Sequence, residues 1–380
     1  MRIIRIKPYS IASPVTDWTM VKVETDDPDV FGWGECSLPS KPRGVLGAIA
    51  DLEKLILGAD PTDTEWIWQR IYRHSYWRGG PILTSSISGI DTALWDIRGK
   101  LLRQPVYKLL GGAVRKRIRL YANLGLSTSP DTFRQRARAA IEMGYRVVKI
   151  YPLPPVRKLE GPATIAQVVS CCEAVREEIG PERDFAIDFH GRCGAALAAQ
   201  IESAVRHTRP LWIEEPVPAE SIPELRRCAD KFLTPIGAGE RLFTRWGFRE
   251  LLERELVSII QPDVANAGGI SELMKLAAMA ELYGVAFNPH NPNGPLQSQT
   301  SLHLAAVAPT FEMLEHRHEH HDYMARICTT FPRVDPADGC AALPQGPGLG
   351  TDVNEQFLRD HPAQDWIPEA FGADGTPSDW

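Results

Sequence analysis

The strongest constraint on the fold is a repeat of texture rather than of sequence. From about residue 119 to 325, short apolar runs alternate with longer stretches of helical character. Strand-like runs lie near Arg119–Asn123, Tyr145–Tyr151, Asp184–Phe189, Leu211–Glu214, Pro235–Gly239, Val257–Gln261, Val285–Asn288 and Phe311–Glu315. Between them, Pro130–Met143, Ala163–Ile179, Ile270–Leu282 and Leu296–Val307 space their apolar residues three and four apart, as a helix requires. Eight strands separated by helices is the count of a (β/α)8-type barrel, and roughly 200 residues is the lower end of its size. A doubly wound open sheet is the competing α/β architecture. It normally carries a glycine-rich phosphate loop after its first strand. Here that position reads Asn123-Leu124-Gly125-Leu126-Ser127, without GxGxxG. The barrel is the favoured reading.

The first hundred residues differ. Val21–Glu24 alternates apolar and polar, Asp26-Asp27-Pro28 turns the chain, and Phe31–Glu35 follows as a second short run, a hairpin or meander pattern. Ile87, Ile90, Ala93, Leu94, Ile97 and Leu101 then form a helical stripe within Ser85–Leu102, and Gly111-Gly112 closes the region. This predicts an N-terminal α+β capping domain over 1–118, a barrel over 119–325 and a C-terminal tail over 326–380 that packs back on the cap.

Composition excludes several classes of function. Lys plus Arg number 42 against 48 Asp plus Glu, a formal net charge of -6, so the broad basic field of nucleic-acid binding is missing. No apolar run approaches the roughly 18 residues that span a bilayer, and Met1–Lys7 alternates like a strand rather than a signal peptide. Seven cysteines without CxxC spacing suggest free thiols in a reducing compartment. The expectation is a cytoplasmic protein that acts on a small molecule, with no nucleic-acid or membrane partner.

In a barrel, chemistry sits at the C-terminal ends of the strands. The third strand ends in Asp188-Phe189-His190, the fourth in Glu214-Glu215-Pro216, the fifth in Gly239-Glu240-Arg241, the sixth in Gln261-Pro262-Asp263, the seventh in Asn288-Pro289-His290 and the eighth in Leu314-Glu315-His316. Six strands in succession therefore finish on ionisable residues aimed at one mouth. Asp188, Glu214 and Glu240 would repel one another without a cation, and an all-oxygen set left open to substrate suits Mg²⁺. Their alternative role is to cap the helices that follow. Strand alternation places His190 on the face of Asp188, and His290 and Asp263, on neighbouring strands, can hydrogen-bond. Lys149 and Tyr151 share the inward face of the second strand, where Lys149 can stabilise negative charge unless it snorkels to the surface. The run His316–His321 lacks defined ligand spacing and reads as a loop or subunit contact.

These motifs, with Arg78-Gly79-Gly80-Pro81 and Ile90-Asp91-Thr92-Ala93-Leu94-Trp95-Asp96 in the cap, resemble the enolase superfamily. Within it they are similar to the mandelate racemase-like branch and its acid-sugar dehydratases of the D-galactonate type. The resemblance implies Asp188, Glu214 and Glu240 as Mg²⁺ ligands, His290 with Asp263 as base, His190 as general acid, and Glu315 bonded to the substrate carboxylate. It also implies a homo-oligomer that dehydrates an aldonic acid to a 2-keto-3-deoxy acid through an enediolate. Trp77, Arg78 and the loop 13–18 are expected to close over the substrate, with Tyr151 lining its site. Racemases of this branch carry Lys-x-Lys on the second strand. Here it is Lys149-Ile150-Tyr151, and a phenol with a pKa near 10 is a poor second base. Elimination is therefore favoured over racemisation. A cycloisomerase sharing the enediolate, or a barrel that binds a sugar acid without turning it over, are the alternatives.

Overall fold

A shared apolar face organises the cap sheet. Strands β1 (Ile3–Ile11), β2 (Trp18–Thr25) and β3 (Phe31–Glu35) pair antiparallel in that order. Their inner residues Ile3, Ile6, Val21 and Val23 pack on Val45, Ile49, Ile90, Leu94 and Ile97 of the helices behind. Those helices are α1 (Pro42–Ile56), α2 (Thr64–Arg73) and α3 (Pro81–Leu101), followed by the short α4 (Val106–Leu109). α3 starts four residues before the apolar stripe predicted from Ser85, because Pro81 supplies a preformed first turn. The structure is a computed structural model and describes every residue except 158, 365, 368–370, 373, 379 and 380.

The eight barrel strands are β4 (Arg117–Leu126), β5 (Val147–Tyr151), β6 (Asp184–Asp188), β7 (Ile213–Glu214), β8 (Ile236–Ala238), β9 (Ile259–Ile260), β10 (Ala286–Phe287) and β11 (Leu314–His316). All neighbours from β4 to β10 pair parallel, and β11 returns to pair parallel with β4. The ring closes where Phe287 N donates to Thr310 O at 3.1 Å and Asn288 Oδ1 accepts from Glu312 N and Met313 N at 3.1 and 3.2 Å. Helices α5 (Pro130–Glu142), α6 (Pro162–Ile179), α7 (Ala195–Val205), α8 (Ile222–Ala229), α9 (Thr244–Glu253), α10 (Gly269–Leu282) and α11 (Pro295–Val307) alternate with the strands. This is the (β/α)8-type barrel with an N-terminal α+β cap; no helix among the described residues is long and apolar enough to cross a membrane.

Polar contacts fix the cap on the barrel. Along α3, Ser85 Oγ accepts from Asn266 Nδ2, Ser88 Oγ from Gly268 N and Asp91 Oδ2 from Ser271 N, at 2.8 to 2.9 Å. This register sets the N-terminal half of α3 beside Asn266, in the segment that follows Asp263. The tail holds α12 (His321–Ile327), β12 (Cys340–Ala342) and α13 (Glu355–Asp360). It touches both domains: β12 pairs antiparallel with β4 of the barrel, while Glu355 bonds Tyr9 and Lys22 of the cap.

The run 316–321 is not a loop, contrary to the sequence-based expectation. His316 ends β11, 318–320 form a 3-10 turn, and His321 opens α12. His316 and His320 are buried, with His316 bonded to the Tyr145 hydroxyl and the His320 ring packed on Trp18. Such imidazoles stay neutral: burial lowers His316 to about 3 and His321 to about 4. His303 behaves alike, its Nδ1 accepting from Tyr107 N and its Nε2 facing Leu349 O, and burial lowers it to about 4. A depressed histidine loses stability as pH falls below its unfolded value near 6.5, because the unfolded chain takes the proton first. His303→Gln should therefore gain on the wild type by about 3 kcal/mol between pH 7 and pH 4, read as the difference of two urea titrations.

Candidate active site

The barrel interior explains the site layer by layer. A floor of Tyr121, Val147, Ala186, Trp212, Ile259 and Met313 packs inside the ring. Two residues further along each strand, on the same inward face, stand Asn123, Lys149, Asp188, Glu214, Gln261 and Glu315. The apolar floor thus excludes water from below, and the polar layer opens to the mouth. No sequence repeat is needed, only the pleat.

Asp188, Glu214 and Glu240 bring one carboxylate oxygen each within 4.8 Å of one another. All three are buried enough that their carboxyls are raised, Glu214 to about 7, with burial the leading cause. None caps a helix: Asp188 Oδ1 instead accepts from His190 N at 2.7 Å, and Glu214 Oε2 accepts from Gln261 Nε2 at 2.6 Å and from Trp212 Nε1 at 3.1 Å. Three desolvated carboxylates converging on one point form a hard, all-oxygen donor set of the kind a small divalent cation takes.

Lys149 is 2% exposed, so it does not snorkel. Its Nζ bonds Glu214 and lies 3.1 Å from Glu315 and 3.4 Å from Asp188. Burial works against its charge, but Glu214 and Glu315 outweigh that and hold it well above the ordinary lysine value. Glu315 is equally enclosed. It accepts from Asn123 Nδ2 at 2.6 Å and Asn291 N at 3.0 Å, and Lys149 overcomes burial to hold it at about 2. Sequence reasoning puts Glu315 on the substrate carboxylate. The structure places Glu315 in the polar layer of the barrel mouth, its Oε1 3.1 Å from Lys149 Nζ.

His290 Nδ1 lies 2.8 Å from Asp263 Oδ2, and its Nε2 is 3.5 Å from Glu240. Burial alone would depress this imidazole; the Glu240 carboxylate and the Asp263 hydrogen bond reverse that and raise it to about 10. Across the mouth stands His190. β6 and β10 are four places apart in a ring of eight, so the two histidines face each other over the acids. The route to His190 differs from simple alternation, because β6 ends at Asp188 and His190 has φ 53°, a left-handed turn. The Asp188 carboxylate that accepts its N–H stabilises this turn. Gly191 continues it at φ +68°, and a Cβ there would meet Arg241 Nη2 at 2.0 Å. The His190 ring packs on Tyr151 with centroids 4.7 Å apart. The Tyr151 hydroxyl is buried without a hydrogen-bond partner among the described residues, and burial raises its pKa further.

Trp77, 78% exposed, and Arg78 line a cleft of about 410 Å³ in the cap with Leu52, Tyr72, His74 and Ile87. The loop 13–18 is not free along its length: Trp18 is buried in β2, and Asp17 accepts from Gln364 N and Trp366 N of the tail. Only Pro14 and Val15 in it are exposed. Sequence reasoning misses Asn123, Gln261, Asn291 and Gln297. The first two can be found by stepping the pleat back from the acids; the others sit where loop geometry, invisible in sequence, decides.

Comparison with known proteins agrees with this geometry. Residues 132–357 match the enolase C-terminal domain-like family, and residues 5–111 match the mandelate racemase/muconate lactonizing enzyme N-terminal domain. The chain is 38% identical to a D-galactonate dehydratase of Variovorax paradoxus (strain S110) and 37% identical to one of Ralstonia pickettii (strain 12J), each over 100% of both chains. Among solved structures, a mandelate racemase/muconate lactonizing enzyme-like protein from Roseovarius sp. TM1035 superposes with a TM-score of 0.88 at 31% identity, covering 96% of each chain.

Proposed function

The chain belongs to the enolase superfamily, in its mandelate racemase/muconate lactonizing enzyme branch, and on that premise we propose that it dehydrates an aldonic acid such as D-galactonate to a 2-keto-3-deoxy acid. The observation that carries this reading is the pair of histidines on opposite strands, one tied to a buried aspartate, over a single acid cluster. Asp188, Glu214 and Glu240 would hold Mg²⁺, which when bound supplies positive charge to the carboxylate beside the carbon that loses its proton.

The chain's own groups do the rest. His290 removes the C2 proton, with Asp263 holding its ring so that Nε2 faces the mouth. A histidine or lysine base is the usual choice in enolase-superfamily sites. The charge that develops on the carboxylate as an enediolate forms is met by the Lys149 ammonium, a donor kept protonated by Glu214 and Glu315. His190, beside Asp188, gives a proton to the 3-hydroxyl so that water rather than hydroxide departs. The enol then becomes the keto acid. Tyr151 sits beside His190, and its unpartnered hydroxyl is placed to bond a sugar hydroxyl. Trp77 and Arg78, on the turn before α3, would choose the sugar on closure. We further place the enzyme in the cytoplasm, where its seven free thiols stay reduced, and as a homo-oligomer.

The test is a panel of C4–C6 aldonates and aldarates with Mg²⁺, read by semicarbazide absorbance and mass spectrometry. A keto acid lighter than substrate by one water, from D-galactonate or a close epimer, is the expected result. A product of unchanged mass would replace dehydration by isomerisation, and tight binding without product would leave a sugar-acid binding barrel. One electrostatic consequence is independent of the sugar. Glu240 is the chief cause raising His290 to about 10, so a cation that neutralises Glu240 must lower it. Imidazole NMR titration with and without Mg²⁺ should show the His290 pKa falling toward neutrality on metal addition, and thereby a ring able to accept a proton near pH 7–8.

A further inference from the structure

The base pair is not held by barrel residues alone. Glu35 ends β3 in the cap and is 2% exposed. Its Oε1 accepts from Gly294 N and from Ser37 Oγ, both at 2.7 Å, and its Oε2 accepts from Gln297 N at 2.8 Å. Those two amides belong to the opening turn of α11, where Pro295 has no N–H to offer, so the cap carboxylate satisfies the donors that a helix start leaves unpaired. The turn it pins carries the Gln297 side chain. Gln297 Oε1 accepts from Asn293 N at 2.8 Å, and its Nε2 donates to Asp263 Oδ1 at 2.6 Å. Both ends of that amide are therefore fixed, and the flipped orientation would set oxygen against carboxylate. Asp263 Oδ1 also accepts from Ala265 N at 2.7 Å, which leaves Oδ2 alone to face His290.

We infer that Glu35 and Gln297 are positioning residues for the base: the cap carboxylate sets the α11 turn, the Gln297 amide orients Asp263, and Asp263 fixes the ring of His290. The inference rests on the reading of His290 as the base, and extends it to a group in the other domain. Docking of the cap is then part of assembling the active site, in addition to any covering of substrate. Gly294 offers an independent handle. At its ordinary φ of −86° an alanine is unstrained, but its Cβ would stand 2.8 Å from both Glu35 oxygens and displace the carboxylate without removing a polar group.

The test compares Gln297→Met, Glu35→Gln and Gly294→Ala in the full chain with Mg²⁺, using D-galactonate as probe. A second readout, independent of turnover, is the ¹⁵N-histidine spectrum, in which the Nδ1 proton shared with Asp263 is assigned by its loss in His290→Ala. The expected result is a kcat lower by about 10- to 100-fold with KM little changed, and broadening or loss of the Nδ1 signal in all three variants. Wild-type kcat per folded molecule together with an unaltered Nδ1 signal would overturn the proposal, even if the yield of folded protein falls. Turnover by His290→Ala would sink the base assignment instead. If the wild type leaves D-galactonate untouched, that sugar is wrong, and the Nδ1 signal alone decides whether the cap positions the ring.

Discussion

His290→Ala is expected to lower kcat for the proposed dehydration by about 10²–10⁴-fold, and to leave a folded protein that still takes up Mg²⁺ if the wild type does. The variant keeps its fold because His290 closes no helix or strand ladder, and the Asp263 carboxylate it uncovers retains the Gln297 and Ala265 donors. His190→Ala should be as inactive in forming keto acid, and yet different in kind. If His290 removes the C2 proton and His190 only assists departure of the 3-hydroxyl, the His190 variant still exchanges that proton with solvent. Incubation in D₂O should therefore put deuterium at C2 of recovered substrate with His190→Ala and none with His290→Ala. Exchange by both variants would remove His290 from the role of base. Exchange by neither would mean that the two histidines act in one step, with no enediolate that lives long enough to be reprotonated.

How much of this is legible in the sequence follows from the physics of the pleat. Asp188, Glu214, Glu315 and Lys149 follow apolar residues by two positions on strands of alternating burial, so a reader who finds the strands finds the acids. Asp263 and His290 are legible for a related reason, as polar ends of neighbouring strands that finish at one level. What fails lies where the chain leaves the strand. Alternation puts His190 on the correct side for the wrong reason, since a left-handed turn brings it there. Glu35 reads simply as the end of a cap strand, because its partners Gly294 and Gln297 are more than 250 residues away in sequence, and nothing local marks a contact of that range. The histidines at 316–321 read as a loop only when burial is unknown; within the folded chain they pack against Tyr145, Trp18 and Phe331.

Lys149→Met is the second large effect, and it should separate two consequences that other variants mix. The ammonium is the cation that Glu214, Glu315 and Asp188 share inside the barrel, and the thioether that replaces it fills similar volume without charge. Removing one partner of a buried ionic cluster typically costs about 3–5 kcal/mol, because the remaining charges stay desolvated. The loss should be largest at neutral to alkaline pH. Glu214 already stands at about 7, above its unfolded value, so it costs stability when ionised and ceases to do so as pH falls through 7 toward 4.5. Losing the lysine raises the carboxyls further, so the variant should regain part of its deficit on acidification, read as the pH dependence of the difference from wild type. A divalent cation on Asp188, Glu214 and Glu240 supplies the missing charge by another route, and Mg²⁺ should stabilise the variant more than the wild type. Activity should not follow. Mg²⁺ restores the fold but leaves no ammonium to meet the charge on the substrate carboxylate, so kcat stays depressed by about 10²-fold or more even when the metal is saturating. Recovery of both stability and kcat on adding Mg²⁺ would show Lys149 to be a placeholder for the metal and not a group that takes part in the reaction.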